Sequence, residues 1–238
     1  IKTEAVVLAG GYWSERFLGN LGVRFPQTGV VSSVMRTSPI DVGHDITFAG
    51  GRFAGRKRLD GGYTIAHNRY AVIDLTPRHV RYTFDFMKAL ILNSHEFKLR
   101  IGKRFIEEWQ LAKRWKPDEV TPFEQVRILD PLPHKFLLDD AEQALKTSYP
   151  AFKDMHIEET WAGMIDATPD AVPVIDHIDN FPGLFLASGF SGHGFGIGPG
   201  AGKLMAEIVC GESPCVDPAP FRYSRFTDGS KPRPFAGL

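Results

Sequence analysis

The sequence predicts a mixed α/β (α+β) protein: short buried strands lie near both ends of the chain, and the long middle builds an antiparallel sheet with helices. Three observations carry this. Short apolar runs at residues 4–9 (EAVVLA) and 183–188 (GLFLAS) read as buried strands, and glycines follow each. Residues 30–80 mix β-branched and polar residues and are punctuated by Gly50-Gly51 and Asp60-Gly61-Gly62, the chemistry of hairpin turns. Residues 84–115 carry apolar residues at three- and four-residue spacing, the period of helices.

Taken in order, the strand at 4–9 leads through Gly10-Gly11 to a short helix over Trp13–Gly19, with Ser14 as its N-cap. Pro26 marks a boundary. The sheet then runs to about Val80, and the helical stretch after it breaks near Asn93-Ser94. Its Lys98, Arg100, Lys103, Arg104, Lys113, Arg114 and Lys116 form a basic, solvated helix face. Asp139-Asp140 cap a helix through Thr147, which Pro150 ends. A strand and turn over 155–176 precede the strand at 183–188. Pro199 opens a last helix with Ala201, Leu204, Met205, Ile208 and Val209 on its apolar face and Gly211 as its stop. The proline-rich tail from Pro214 packs as an extended arm.

Composition narrows the function classes. Lys and Arg number 28, as do Asp and Glu, so the net charge of zero excludes a general polyanion binder such as a nucleic-acid protein. The two cysteines, Cys210 and Cys215, have no second pair or nearby histidines and form no metal set. They read as free thiols of a reducing compartment. No signal peptide opens the chain, and no apolar run nears the roughly 20 residues of a membrane span, so a soluble, cytoplasmic protein is predicted. The chain lacks an initiator Met and enters a strand almost at once, which predicts the C-terminal part of a longer protein.

The stretch LASGFSGHGFGIGPGAGKLMAE (186–207) holds glycine at every second position from Gly192 to Gly202. A phosphate loop of the form G-x-x-x-x-G-K-[ST] fails, because Ile197 stands at its first glycine and Leu204 at its hydroxyl. A dinucleotide fingerprint over Gly196, Gly198 and Ala201 fits loosely but lacks the following strand. A third reading is a strand, a glycine loop and a helix N-terminus whose free N–H groups meet a flat ligand. A reduced flavin, with negative charge around N1 and the C2 carbonyl, is such a ligand.

GFSGHGFGIGPGAGKLMAE resembles the C-terminal flavin segment of the FAD-dependent D-amino-acid oxidase and dehydrogenase superfamily, which includes glycine oxidase, sarcosine oxidase and D-amino-acid dehydrogenase. EAVVLAGGYWS, RLDGGYTIAH and WAGMIDATPDAVPVID resemble further pieces of that family in the same order. The resemblance implies part of an FAD-binding doubly wound domain (residues 1–25 and 166–238) plus an antiparallel-sheet substrate domain with helices (residues 26–165), and dehydrogenation of the C–N bond of an amino acid or secondary amine. It places Gly163, Gly192, His193, Gly194, Gly196 and Ile197 at the flavin, with a structural cap or surface role the alternative for His193 and packing the competing role for Phe195; Gly10, Gly11 and Trp13 follow a strand end, where α/β folds place ligands, against a simple turn with a core Trp. His67, Arg69 and Tyr70 fall in the substrate sheet, as does His44, whose structural role competes with pocket lining.

Two departures bear on function. The family's N-terminal G-x-G-x-x-G unit, which holds the ADP half of FAD, is missing from this sequence; a missing N-terminal segment or a partner subunit would supply it. Glycine-oxidase-like members also carry an Arg just after W-x-G that clamps the substrate carboxylate. Here Trp161-Ala162-Gly163 is followed by Met164-Ile165-Asp166, which leaves two readings: a different Arg such as Arg69 substitutes, or the substrate is not a simple amino acid. Amine oxidation in this superfamily is mostly hydride transfer from a neutral amine, so no catalytic base is assigned. Asp170 reads as a turn residue. The alternative to an enzyme is a non-catalytic subunit or scaffold of the same fold that has lost flavin.

Overall fold

The computed structural model describes residues 2–230 and 233–234. β1 (Val6–Leu8) leads through a 3-10 turn at Gly11–Trp13 into α1 (Ser14–Asn20), followed by β2 (Thr28–Thr37), β3 (Phe48–Ala49), β4 (Ala54–Lys57), β5 (Tyr63–Ala66) and β6 (Ala71–Leu75). Next come α2 (Pro77–Arg81), α3 (Thr83–Leu92), β7 (Phe97–Ile101), α4 (Lys103–Gln110), α5 (Pro122–Gln125) and α6 (Lys135–Ser148). The last elements are β8 (Ile157–Ala167), β9 (Val174–His177), β10 (Leu184–Ser188) and α7 (Gly194–Cys210).

β2 is the spine of a seven-stranded sheet. It zips antiparallel to β8 from Thr28 to Thr37, while β5 (at Val34–Arg36) and β6 (at Val31) also pair with it. The turn at 67–70 therefore sits where two strands part along the middle of a third. Met35, Tyr63 and Ile65 alternate inward from β2 and β5, and α6 lays Leu138, Ala141 and Leu145, spaced at three and four residues, against them. The small sheet has the order β1-β10-β9, with β1 and β10 parallel. Period two splits β10: Leu184 and Leu186 join Leu18 and Phe25 in one core, while Phe185 and Ala187 pack with Leu204 and Met205 of α7 in another.

α1, α2 and α4 meet around buried charges. Arg78 Nε lies 3.1 Å from Glu15 and 3.2 Å from Glu108, and Tyr12 donates to Glu108 at 2.6 Å. Desolvation, partly offset by Arg78, pushes the Tyr12 hydroxyl up to about 12, so it stays a donor.

Several sequence expectations change. Residues 97–101 are not helical: Phe97, Leu99 and Ile101 alternate with Lys98 and Arg100, and β6 satisfies their backbone, which makes the sheet mixed rather than purely antiparallel. Lys98 and Arg100 thus belong to a strand rather than a helix face. Strand texture ends at Leu75, because Thr76-Pro77 starts α2, which takes Val80. Ser14 is the first residue of α1, not its N-cap; its Oγ is buried without a hydrogen-bond partner among the described residues. α6 begins at Lys135, so Asp139 and Asp140 lie inside it. Asp139 pairs with Lys135 one turn back, and Asp140 reaches His67 and Arg52. β1 is an edge strand with Val6 and Val7 exposed, because only its β10 side is paired.

α7 begins at Gly194 rather than Pro199. Packing of Ala201, Leu204 and Met205 fixes its axis, and Pro199 forfeits only one bond near the helix start. Gly211, at φ 69°, ends it as expected. The tail is not an extended arm but two 3-10 turns, Ala219–Phe221 and Tyr223–Phe226. They are pinned because Arg225 forks onto buried Asp170 at 2.8 and 3.2 Å. The tail's residues 231–232 and 235–238 lie outside the described residues. Cys210 and Cys215 are free and exposed.

Candidate functional site

The segment from β10 into α7 forms one wall. Gly189 has φ 82°, and a Cβ there would stand 2.4 Å from Thr168 Cγ2, so no side chain fits. Gly192, at φ 85°, turns the chain, and His193 caps α7 by backbone. The amides of Gly196 and Ile197 return to His193 O, while those of Gly194 and Phe195 have no intrahelical acceptor. Gly194, Gly198 and Gly202 then repeat at helical spacing. They bring the α7 backbone close along a cavity of about 840 Å³, which Ala201, Met205 and Val209 of the same helix also line and Val7, Gly11 and Asp166 close from the other side.

A buried knot fixes this cavity's floor. Gln27 is fully buried, and its Nε2 donates to Gly11 O at 3.0 Å and to Asp166 Oδ2 at 3.1 Å. The Gly189 amide donates to the same carboxylate oxygen at 2.7 Å, and Ser188 Oγ lies 3.2 Å from it. Burial raises the Asp166 pKa from the ordinary carboxylate value, outweighing these donors, which lower it.

A second cavity, of about 280 Å³, lies between the middle of β2 (Ser32, Ser33), the turn at His67–Tyr70 and the 191–193 segment. It shares Ile165 and Gly192 with the larger one, so the two adjoin. Arg69 stands exposed on it. Its guanidinium lies 5.2 Å from the Tyr70 ring centroid, and it has no ion pair among the described residues. Lys98 approaches the same ring at 4.3 Å.

The structure thus gathers Gly11, Gly192 and Gly194 on the larger cavity, and His67, Arg69, Tyr70, Gly192 and His193 on the smaller. Gly10, Trp13, Gly163, Phe195, Gly196 and Ile197 line neither. Trp13 packs edge-on against Phe123 at 5.5 Å, Gly163 pairs with Ser32 across β2 and β8, and Phe195 is fully exposed at the helix start. His44 packs against Phe48, away from both cavities. Sequence reasoning missed Gln27, Asp166 and Ser188. Their partners stand up to 177 positions apart, so no local pattern marks them.

A family match covers this geometry. The model of the DAO family, FAD dependent oxidoreductase, matches residues 1–208. The chain belongs to that family. Mouse peroxisomal sarcosine oxidase is 24% identical over 97% of this chain and 50% of its own length. Two solved structures are similar: L-amino acid deaminase from Proteus vulgaris, with TM-score 0.88, 30% identity and coverage of 95% of this chain and 52% of that one, and L-amino acid deaminase from Proteus myxofaciens in complex with anthranilate, with TM-score 0.90, 32% identity and coverage of 95% and 51%. The chain spans about half the length of these relatives. No helix among the described residues is long and apolar enough to cross a membrane.

The cofactor of this FAD dependent oxidoreductase family is FAD. The close backbone at Gly194, Gly198 and Gly202 and the first-turn amides of Gly194 and Phe195, which have no backbone acceptor among the described residues, fit a planar ring with a polar edge. The described residues contain no glycine-rich βαβ unit for the ADP half.

Proposed function

We propose that this chain forms the substrate-facing half of an FAD-dependent enzyme that dehydrogenates the C–N bond of an amino acid or secondary amine. The observation that carries the reading is Arg69. It is a guanidinium without a carboxylate partner among the described residues, on a cavity that adjoins the glycine wall at Gly192 and Ile165. A bidentate guanidinium suits a substrate carboxylate and replaces the Arg absent after W-x-G. When bound, FAD supplies the hydride acceptor. The chain's own part is to bind and orient: Arg69 takes the carboxylate, Tyr70 and the β2 segment bound the remaining space, and the α7 amides meet the polar edge of the ring.

The sequence resemblance names D-amino-acid enzymes. The two solved structures reported above, both at 30% identity or more, are L-amino acid deaminases, which favours the L series for this chain. The remaining cofactor contacts come from a segment or partner subunit outside this chain.

The test uses the full-length protein under anaerobic conditions with a panel of D- and L-amino acids and secondary amines. Bleaching of the visible flavin absorption by one of these classes is expected; a flavin-free full-length protein supports the scaffold alternative and overturns the enzyme. Arg69→Ala is expected to raise KM for the amino acid about 100-fold, in line with a lost charge-assisted hydrogen-bond pair, and to change kcat far less.

A further inference from the structure

The turn that carries Arg69 is held by one imidazole. The His67 side chain is 1% exposed. Its Nδ1 lies 3.2 Å from the Arg69 amide and 3.2 Å from the Tyr70 amide. Both neighbours are obligatory donors, so Nδ1 carries the lone pair and the proton resides on Nε2. Nε2 then donates to Asp140 Oδ2 at 3.0 Å, and the other oxygen of Asp140 takes Arg52 at 2.6 Å. The ring stacks on Tyr70 with centroids 5.4 Å apart and planes 17° apart. Asn68 adds one more tie, to Gly50 O at 2.8 Å. Asp140 belongs to α6, the helix packed on the main sheet, so a continuous line of hydrogen bonds runs from that core to the backbone of Arg69.

We propose that His67 is a positioning residue for substrate: as a neutral imidazole it accepts both amides and holds Arg69 at the cavity, and its protonation releases the turn and weakens carboxylate binding. The proposal rests on the Arg69 reading given under Proposed function. His67 itself is neither base nor nucleophile, because its one lone pair is already engaged. A proton on Nδ1 would set an N–H against two N–H groups.

The groups acting on His67 are Asp140 from α6, Arg52 from the β3–β4 turn, Lys98 from β7 and the stacked Tyr70. Desolvation holds the imidazole below its ordinary range; Asp140 opposes this, and Lys98 and Arg52 assist it. The neutral latch therefore persists below the ordinary His value of about 6.5. With a folded-state pKa lowered from the unfolded one, the latch contributes fully above the unfolded value and is lost as pH falls through the folded value.

Hydrogen exchange and kinetics on the flavin-loaded full-length enzyme test this. His67→Ala removes both acceptor bonds; exchange in peptides covering residues 67–71 is expected to speed up about tenfold, consistent with loss of bonds of ordinary strength. KM for the amino acid should rise about tenfold with kcat nearly unchanged, while inhibition by the matching amine without a carboxylate stays the same. His67→Asn places an amide oxygen near the Nδ1 position and does not titrate. It should restore slow exchange and low KM and abolish the rise in KM at acid pH. Unchanged exchange in the Ala variant, or an Asn variant that keeps the wild-type acid limb, overturns the proposal. Should the Ala variant fail to fold, the Asn pH profile decides. If Arg69→Ala leaves KM unchanged while His67→Ala still loosens the turn, the carboxylate reading has failed separately from the latch.

Discussion

The wall along α7 and the wall at the β5–β6 turn meet at Gly192 and Ile165, yet the first is opened by glycine backbone at Gly194, Gly198 and Gly202 beside apolar side chains, and the second is built from hydrogen-bonded side chains. Along α7, shape comes from missing Cβ atoms at Gly194, Gly198 and Gly202 and from left-handed turns at Gly189 and Gly192. At the turn, shape comes from His67 reaching Asp140, 73 positions away. A backbone wall is damaged by adding atoms and is indifferent to most remote changes. A side-chain wall is damaged by removing atoms, including remote ones. On the reading proposed above, the first would meet a cofactor that is the same throughout a family and the second a substrate that varies.

The most damaging way to break the comparison is to add atoms where none fit. Gly189→Val combines a left-handed φ with a Cβ 2.4 Å from Thr168 Cγ2 and is expected to destabilise by about 3 kcal/mol in urea unfolding, with loss of bound flavin. A variant as stable as the wild type would show that this wall yields like a side-chain wall.

A smaller effect comes from Asp166, the carboxylate under the backbone wall. Its folded-state pKa is raised by burial, so its contribution to stability is full below the unfolded value and is lost as pH rises through the folded one. Asp166→Asn should remove that decline. The melting-temperature difference between variant and wild type should therefore shift in the variant's favour from pH 4 to pH 7, taken as roughly the span of carboxylate titration. A difference flat with pH would mean that the knot does not feel the charge.

The mildest and sharpest case is Gly202→Ala. Its Cβ meets nothing within 4 Å, so helix propensity alone should stabilise the chain by about 0.5–1 kcal/mol. If the close backbone there serves the ring, flavin content falls in the same variant. Gain of stability with unchanged flavin content would detach Gly202 from the cofactor wall.

The two walls also differ in how far they were readable. The glycine stretch announced itself because each glycine is a local departure from ordinary composition, and its strand-then-helix setting followed from GLFLAS and the apolar face ending at Gly211. The helix start was misplaced by five residues, because Pro199 is a local signal while the axis of α7 is set by Leu204 and Met205 against β9 and β10. Strand β7 was hidden in a helical reading. Its period of two is only five residues long, and the partner that makes it a strand, β6, lies more than 20 positions away.

By itself the sequence determined the α/β class, the strand before the glycine stretch and the helix after it, the hairpin at Asp60-Gly61-Gly62 and, through its motifs, the flavin family. These depend on propensity, turn chemistry and periodicity, which act over a few residues. Only the tertiary structure decided that Gln27, Asp166 and Ser188 form one knot, that Asp140 serves His67 rather than a helix cap, and that Arg69 lacks an ion-pair partner among the described residues. A side chain's hydrogen-bond partner is chosen by which elements pack together, and burial of apolar faces makes that choice over distances that no local pattern encodes.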